Sequence, residues 1–189
     1  MNIPIFPLPV YLLPGGITQL RIFEQRYLNM VKNANNTRGF VIAYALGQGK
    51  ISKWGSWVEI IDFDADEQGL LNIIVKCKSL VTISATAKQQ DELLYGTATP
   101  MEHWGSYTDR EECAFLQQQL EWLFDEYPEL KQLYPTCYFE RADWVCARWL
   151  ELLPVKFEDK SFFARKDSFY TAVAFLNVIL GGEKKAAPE

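Results

Sequence analysis

The chain has 189 residues, of which 49% are hydrophobic and 14% aromatic, and its formal net charge is -5. This composition is typical of a folded globular protein and excludes a largely disordered chain. A nucleic acid partner is disfavoured, because such binding depends on clustered Lys and Arg side chains that neutralise phosphates, and no cluster precedes the C-terminal tail. A chain of this length buries roughly 70% of its unfolded surface and needs neither disulfides nor a metal.

Four cysteines, Cys77, Cys113, Cys137 and Cys146, are widely spaced without a C-x-x-C pair. This spacing predicts reduced thiols and no metal site. The N-terminus has no basic region of a signal peptide, and the longest late apolar run, residues 169–180, is too short to span a bilayer. We therefore predict a cytoplasmic protein with no cofactor, no metal and no membrane partner.

The first thirty residues predict a strand, a turn, a second strand and a helix at the start of a domain. Pro4, Pro7 and Pro9 interrupt an apolar run, so this segment is extended but is not a central strand along its whole length. The Pro14-Gly15-Gly16 sequence indicates a turn, and residues 17–22 alternate between apolar and polar. From Phe23 the period becomes helical, which predicts a helix over about residues 24–32.

Short strands follow. Alternation and bounding turn residues predict strands at residues 40–46, 56–63, 71–77, 81–85 and 94–99, with a charged hairpin tip at 64–69 and a turn at Lys78-Ser79. Six or seven closely spaced strands without crossover helices indicate an antiparallel barrel or sandwich.

The chain becomes helical after about Thr108. An apolar stripe predicts the first of these helices, with Thr108 or Asp109 as its cap; its members are Cys113, Leu116, Leu120, Leu123 and Tyr127. Residues 142–153 are apolar nearly all round and predict the most buried helix, ended by Pro154. A last helix over residues 168–180 has Asp167 as its predicted cap. A β half followed by an α half makes the predicted fold class α+β.

Two motifs imitate ligand loops without completing them. The Gly47-Gln-Gly-Lys50 sequence lacks the first Gly and the final Ser or Thr of a phosphate loop, so we interpret it as a turn between strands. Asp62, Asp64 and Asp66 resemble the start of a calcium loop, but the required Gly and closing Glu are missing. Acidic residues between 111 and 126 lie mostly off the apolar stripe and indicate a solvated helix face.

His103 is the single histidine, and any serine or cysteine nucleophile system that relies on an imidazole base would have to use it. There is no G-x-S-x-G elbow. A hydrolase that pairs His103 with a spatial neighbour such as Cys113 remains open as an alternative.

Aromatic residues near predicted turns are candidates for binding. Trp54 and Trp57 flank a Gly-Ser sequence interpreted as a turn, and Trp104 and Tyr107 flank the expected junction of the β and α halves. Exposed aromatic patches mark binding sites, so these four residues are our predicted peptide-binding residues. Alternatively, the rings cap the ends of the barrel.

The opening stretch resembles the start of the Lon protease N-terminal domain family, the substrate-binding region of that ATP-dependent protease. The resemblance extends to about Leu180 through looser matches at 40–42, 69–73 and 149–154. Its motif assigns structural roles to Pro7, Pro14, Gly15, Phe23, Glu24, Arg26, Tyr27 and Pro154. It implies a PUA-like β pseudo-barrel over residues 1–105 and a helical bundle over 106–182. The charged residues 183–189 predict a disordered tail.

The resemblance implies a stand-alone, non-enzymatic module that binds unfolded or hydrophobic protein segments as an adaptor, since no Walker loop and no Ser-Lys dyad is present. Two departures from the family pattern are Gln25, where many members have Pro, and Cys77-Lys-Ser-Leu-Val81, where the family often has Gly-x-x-Arg-Phe. A scaffold or small-ligand-binding domain with a folded partner is the alternative.

Overall fold

The computed structural model describes residues 1–34, 39–65, 67, 69–108 and 111–181. Asp66, Asp109 and the predicted tail over 183–189 lie outside these residues. The chain separates into two compact units, residues 1–102 and residues 103 onward. Strands occupy the first unit and most helices the second, which confirms the α+β class.

The first unit contains six strands and one helix among its described residues. Their bounds are β1 Asn2–Leu8, β2 Ile17–Ile22, α1 Gln25–Ala34, β3 Phe40–Gly47, β4 Lys50–Ala65, β5 Leu71–Lys88 and β6 Leu94–Met101. The strand order is β2-β5-β4-β3-β1-β6, and β5 also pairs with β6. Because β5 and β6 pair, the sheet closes into a ring. Its strands contribute one buried apolar cluster of Ile3, Ile5, Val41, Ala43, Val81 and Ala98.

Strand β1 divides its pairing between two neighbours. Residues Asn2–Ile5 pair antiparallel with β6, whereas Ile5–Leu8 pair parallel with β3. The prediction of a purely antiparallel sheet was therefore wrong at this pair. The prolines account for the division, because a residue without a backbone N–H cannot donate a hydrogen bond to a neighbouring strand. Accordingly, only Ile5 of β1 is paired with both neighbours.

Strand β5 is continuous where a turn was predicted. Lys78 and Ser79 lie inside the strand, and the pairing with β4 shifts register between Trp57 and Val58, opposite this point. A β-bulge inserts one unpaired residue and bends a strand without ending it. The polar Lys-Ser pair thus marks a bulge, and the predicted turn was wrong.

Strand β4 starts at Lys50, well before the predicted residue 56. Gly55 and Ser56, interpreted from sequence as a turn, lie within it and pair with Ala43 and Ile42 of β3. A Cβ atom at Gly55 would lie 2.5 Å from the Ile42 carbonyl oxygen. This glycine therefore permits a close approach of two strands, which is a common reason for a glycine inside a strand.

The second unit is helical. Its helices are α2 Ala114–Glu126, α3 Pro128–Gln132, α4 Ala142–Leu152, α5 Phe157–Ser161 and α6 Phe169–Gly181, with 3-10 turns at Glu111–Cys113 and Phe162–Ala164. Eight of the eleven residues of α4 are buried, as predicted for the central helix. No helix in the described part of the chain is long and apolar enough to cross a bilayer.

Helix α2 differs from its prediction at both ends. It begins at Ala114 after a 3-10 turn, and Cys113 occupies the cap position without a side-chain cap bond. Leu116, Leu120 and Phe124 are its buried residues, whereas Tyr127 is exposed. The helix ends at Glu126, and Pro128 begins α3. Tyr127 therefore lies outside the helix, and Phe124 is the last buried residue of its apolar face.

Substitution of Gly55 tests the close approach of β3 and β4. We expect Gly55→Ala to lower the free energy of unfolding by about 1–3 kcal/mol, because the new methyl overlaps a backbone oxygen that cannot move freely. Urea denaturation measures the change. Gly105→Ala is the control, since the nearest atom to its Cβ would be a Tyr107 ring carbon at 4.0 Å. Equal stability of both variants would contradict the packing argument.

Candidate functional site

A groove of about 410 Å³ is the candidate site in the first unit. Three elements form it: the end of β1, the corner between β2 and α1, and the hairpin between β3 and β4. Lys88 at the end of β5, Glu92 in the following connection and Leu94 at the start of β6 complete the lining. The apolar part of its lining is Phe6, Pro7, Leu8, Ile22, Phe23, Tyr27, Ile51 and Leu94.

The divided pairing of β1 creates the space. After Ile5, β1 follows β3 and has no further pairing with β6. Among the described residues, β2 pairs only with β5, so its other edge carries no strand. The end of β1 and the end of β2 therefore both line the groove without forming a ladder with each other.

Phe23 is the most exposed aromatic side chain of this lining. Its relative exposure is 69%, whereas the preceding Ile22 is 1% exposed. Sequence periodicity placed Phe23 at helical spacing, but α1 begins only at Gln25. Because Phe23 follows a strand whose even-numbered residues are turned inward, its ring is turned to the opposite side, beside the groove.

Glu24 and Arg26 fix the corner from which Phe23 projects. The Glu24 carbonyl accepts hydrogen bonds from the backbone N–H groups of Tyr27 and Leu28, each at 3.0 Å. The Glu24 carboxylate lies 2.7 Å from Arg26 Nη2. Arg26 Nη1 donates to the Glu92 carbonyl at 3.4 Å, which ties the corner to the segment before β6. The Arg26 Nε–H is buried and has no acceptor among the described residues.

The Tyr27 ring packs the helix onto the strand. It is stacked on Phe6 of β1 with ring centroids 3.9 Å apart, and the Arg26 guanidinium lies 4.8 Å from its centroid. Burial raises the pKa of Tyr27 above its usual value. The phenol is therefore neutral at physiological pH and acts here as an apolar wall with one polar end.

The rim of the groove carries charges. Lys88 and Glu92 form an ion pair, and the hydrogen bond from Lys88 holds the pKa of the Glu92 carboxyl below its usual range. Lys50 follows the turn Gln48-Gly49, both of whose residues have positive φ. That geometry belongs to a tight two-residue hairpin, so the Gly-Gln-Gly-Lys sequence is a turn, as predicted. Sequence reasoning missed Lys50 and Glu92 as site residues, although the glycines marked this hairpin.

The other motif residues lie away from the groove. Pro14 and Gly15 form a turn whose Gly15 N–H donates to the Cys77 carbonyl at 2.8 Å, and Cys77 N–H donates to Gly16 at the same distance. Pro154 follows α4, where Leu153 has already left helical geometry with ψ of 138°. Both positions end or join elements and carry no exposed reactive group.

The predicted binding tryptophans of the first unit lie within β4. Trp54 meets Tyr11 edge-on with ring centroids 5.8 Å apart. Trp57 packs against the buried apolar cluster, and Lys78 Nζ lies 4.5 Å from its ring centroid. The two side chains are half-buried.

The predicted aromatic pair of the second unit packs on the start of α6. Trp104 Nε1 donates to Ser168 Oγ at 2.9 Å, and the Tyr107 ring is stacked on Phe169 with centroids 4.0 Å apart. Tyr107 N–H also donates to Asp143 Oδ1 at 2.9 Å. These contacts order both rings within the helical unit.

His103 is held as a neutral structural residue. Its Nε2–H donates to the Phe163 carbonyl at 3.0 Å, and burial lowers its pKa to about 4. A neutral ring of that pKa is a weak general base. The alternative nucleophile Cys113 interacts instead with Cys146, and this hydrogen bond together with burial raises the pKa of Cys146. Within the described residues, no three His, Cys, Asp or Glu side chains are grouped to hold a metal.

The low pKa of His103 predicts acid sensitivity. Its folded pKa of about 4 lies below the ordinary 6.5, so the unfolded state binds a proton first as the pH falls. Stability is full above pH 6.5 and declines below it; between pH 7 and pH 5 the loss is about 2 kcal/mol. Urea denaturation at the two pH values measures this loss. His103→Gln should show a smaller loss than the parent, and an unchanged pH slope would contradict the assignment.

Comparisons with known proteins agree with this architecture. A family model described as the ATP-dependent protease La (LON) substrate-binding domain matches residues 2–161. A Lon N-terminal domain protein from Xanthomonas campestris has a TM-score of 0.74 at 26% identity, over 93% of this chain and 96% of that chain. The N-terminal domain of Mycobacterium avium complex Lon protease has a TM-score of 0.69 at 12% identity, over 97% of this chain and 100% of that chain, and shows the fold alone.

No curated protein matches the chain. The family model nevertheless covers the whole first unit and the second unit as far as α5. The resemblance carried by the opening motif is thereby confirmed, and the chain belongs to the LON substrate-binding domain family.

Proposed function

We propose that the groove binds extended polypeptide segments through their apolar side chains, and that the chain acts as a non-enzymatic recruitment module. One observation carries this proposal: Phe23 exposes 69% of its surface at the edge of an apolar groove. Leaving so large a ring in water forgoes part of the roughly 1.5–3 kcal/mol that burial of such a side chain gives. A ligand that covers Phe23 recovers that free energy.

Several features favour a polypeptide as the occupant. The end of β1 has a strand neighbour on one side only, so an extended segment can lie along its other side. The groove combines an apolar floor with a charged rim, which suits side chains attached to a polar backbone. The family is described as the substrate-binding domain of a protease, whose substrates are polypeptides.

The affinity expected of this site is modest. A groove of about 410 Å³ accommodates a few side chains, and ordering a flexible segment offsets much of the gain from burial. We therefore expect binding in the micromolar range. Such affinity suits an adaptor that captures a segment and then releases it.

The finer architecture and setting belong to the same proposal. The closed strand ring supports a PUA-like pseudo-barrel over residues 1–105, followed by a helical bundle over 106–182. All four cysteines lie among the described residues and none forms a disulfide, which supports a cytoplasmic location. Peptide binding by Trp54, Trp57, Trp104 and Tyr107 stays a prediction.

Replacement of Phe23 tests the proposal. We expect Phe23→Ser to weaken binding of a fluorescein-labelled apolar peptide by roughly five- to thirtyfold, because one ring no longer contributes 1–2 kcal/mol of burial. Fluorescence anisotropy measures the affinity. Stability should barely change, because the ring is already exposed. Phe63→Ser is the matched control: this ring is 64% exposed in the same unit and does not line the groove.

Three outcomes decide between occupants. Loss of binding in Phe23→Ser alone supports the groove as the peptide site. Equal loss in both variants, or no saturable binding by the parent, contradicts it. Binding of a small apolar dye that no peptide displaces would instead identify a small-ligand site.

A further inference from the structure

The charges around the groove differ in sign from the protein as a whole. Six charged side chains line it: Arg21, Arg26, Lys50 and Lys88 are positive, and Glu24 and Glu92 are negative, leaving an excess of two positive charges. The whole chain has a formal net charge of -5. At physiological salt, charges act over roughly 8 Å, so a bound segment experiences the rim more strongly than the distant acidic surface.

Both carboxylates of the rim already have partners. Glu24 pairs with Arg26 at 2.7 Å, and Glu92 pairs with Lys88. The Glu24 carboxylate also lies at the structural corner, where release from Arg26 would leave a half-buried guanidinium unpaired. Neither carboxylate is therefore positioned to attract a basic ligand without losing an existing ion pair.

Lys50 is the cation best placed to act on a ligand. It is exposed, it lines the groove, and it makes no ion pair with any described residue. The Gln48-Gly49 turn fixes its backbone beside the groove. A cation held on a tight hairpin loses little backbone freedom when it pairs with a carboxylate.

We propose that the groove selects polypeptide segments in which Asp or Glu flanks the apolar residues, with Lys50 as the main specificity-determining residue. This inference rests on the proposed peptide-binding function. The apolar floor supplies the affinity, and the positive rim favours acidic neighbours and disfavours basic ones. Segments of basic, apolar composition should accordingly be the poorest ligands.

Three blocked peptides with one shared apolar core test the selection. Their flanks carry Asp, Ser or Lys, and acetyl and amide groups remove the terminal charges. In anisotropy titrations we expect the Asp peptide to bind roughly two- to tenfold more tightly than the Lys peptide, with the Ser peptide between them. The difference should shrink at about 0.5 M salt, where the Debye length is about 4 Å.

Charge reversal assigns the preference to a residue. Lys50→Glu should abolish or invert the order of the Asp and Lys peptides while changing the Ser peptide little. Lys53→Glu is the matched control, because Lys53 is exposed on the same strand and does not line the groove. A parent protein that binds the three peptides equally, or a Lys53→Glu variant with the same effect as Lys50→Glu, overturns the inference and leaves peptide binding intact. Failure of all three peptides to bind overturns the proposed function as well.

Discussion

The division of β1 between two neighbours is the constraint on which the first unit depends. One half of the strand pairs with β6 and thereby holds the ring closed, and the other half pairs with β3. The same division leaves the edge of Phe6–Leu8 beyond β6 without a strand. The Phe6–Tyr27 stack joins α1 to this part of β1, so closure of the ring and formation of the groove both depend on β1.

Residues that determine the corner also surround the site. Glu24 and Arg26 were predicted as structural, and their mutual ion pair and backbone contacts are those of a structural corner. Yet the corner exposes Phe23 and positions the charged rim. The structural corner and the lining of the candidate groove therefore share this short segment.

The sequence predicted the helices and strands better than it predicted which aromatic side chains are exposed at a candidate site. Helix α4 was recognisable because a segment that is apolar nearly all round favours a buried environment, despite its few charged residues. The turn predicted at Lys78-Ser79 was wrong because a bulge and a turn share the same polar residues, and only the partner strand distinguishes them. Trp54 and Trp57 were expected around a turn, but Gly55 serves a close approach to β3. The exposure of Phe23 depends on α1 beginning at Gln25, and helix starts are not fixed to one residue by periodicity.

The groove exists only in the folded ring, because its lining comes from four segments that are distant in sequence: β1, the β2–α1 corner, the β3–β4 hairpin and the residues before β6. A ligand that binds this arrangement but not the unfolded chain must stabilise the ring, by an amount set by its concentration relative to its dissociation constant. The reverse also holds: unfolding of the ring separates these segments and removes the groove. On the proposed function, affinity for a polypeptide segment and stability of the strand ring are therefore thermodynamically coupled.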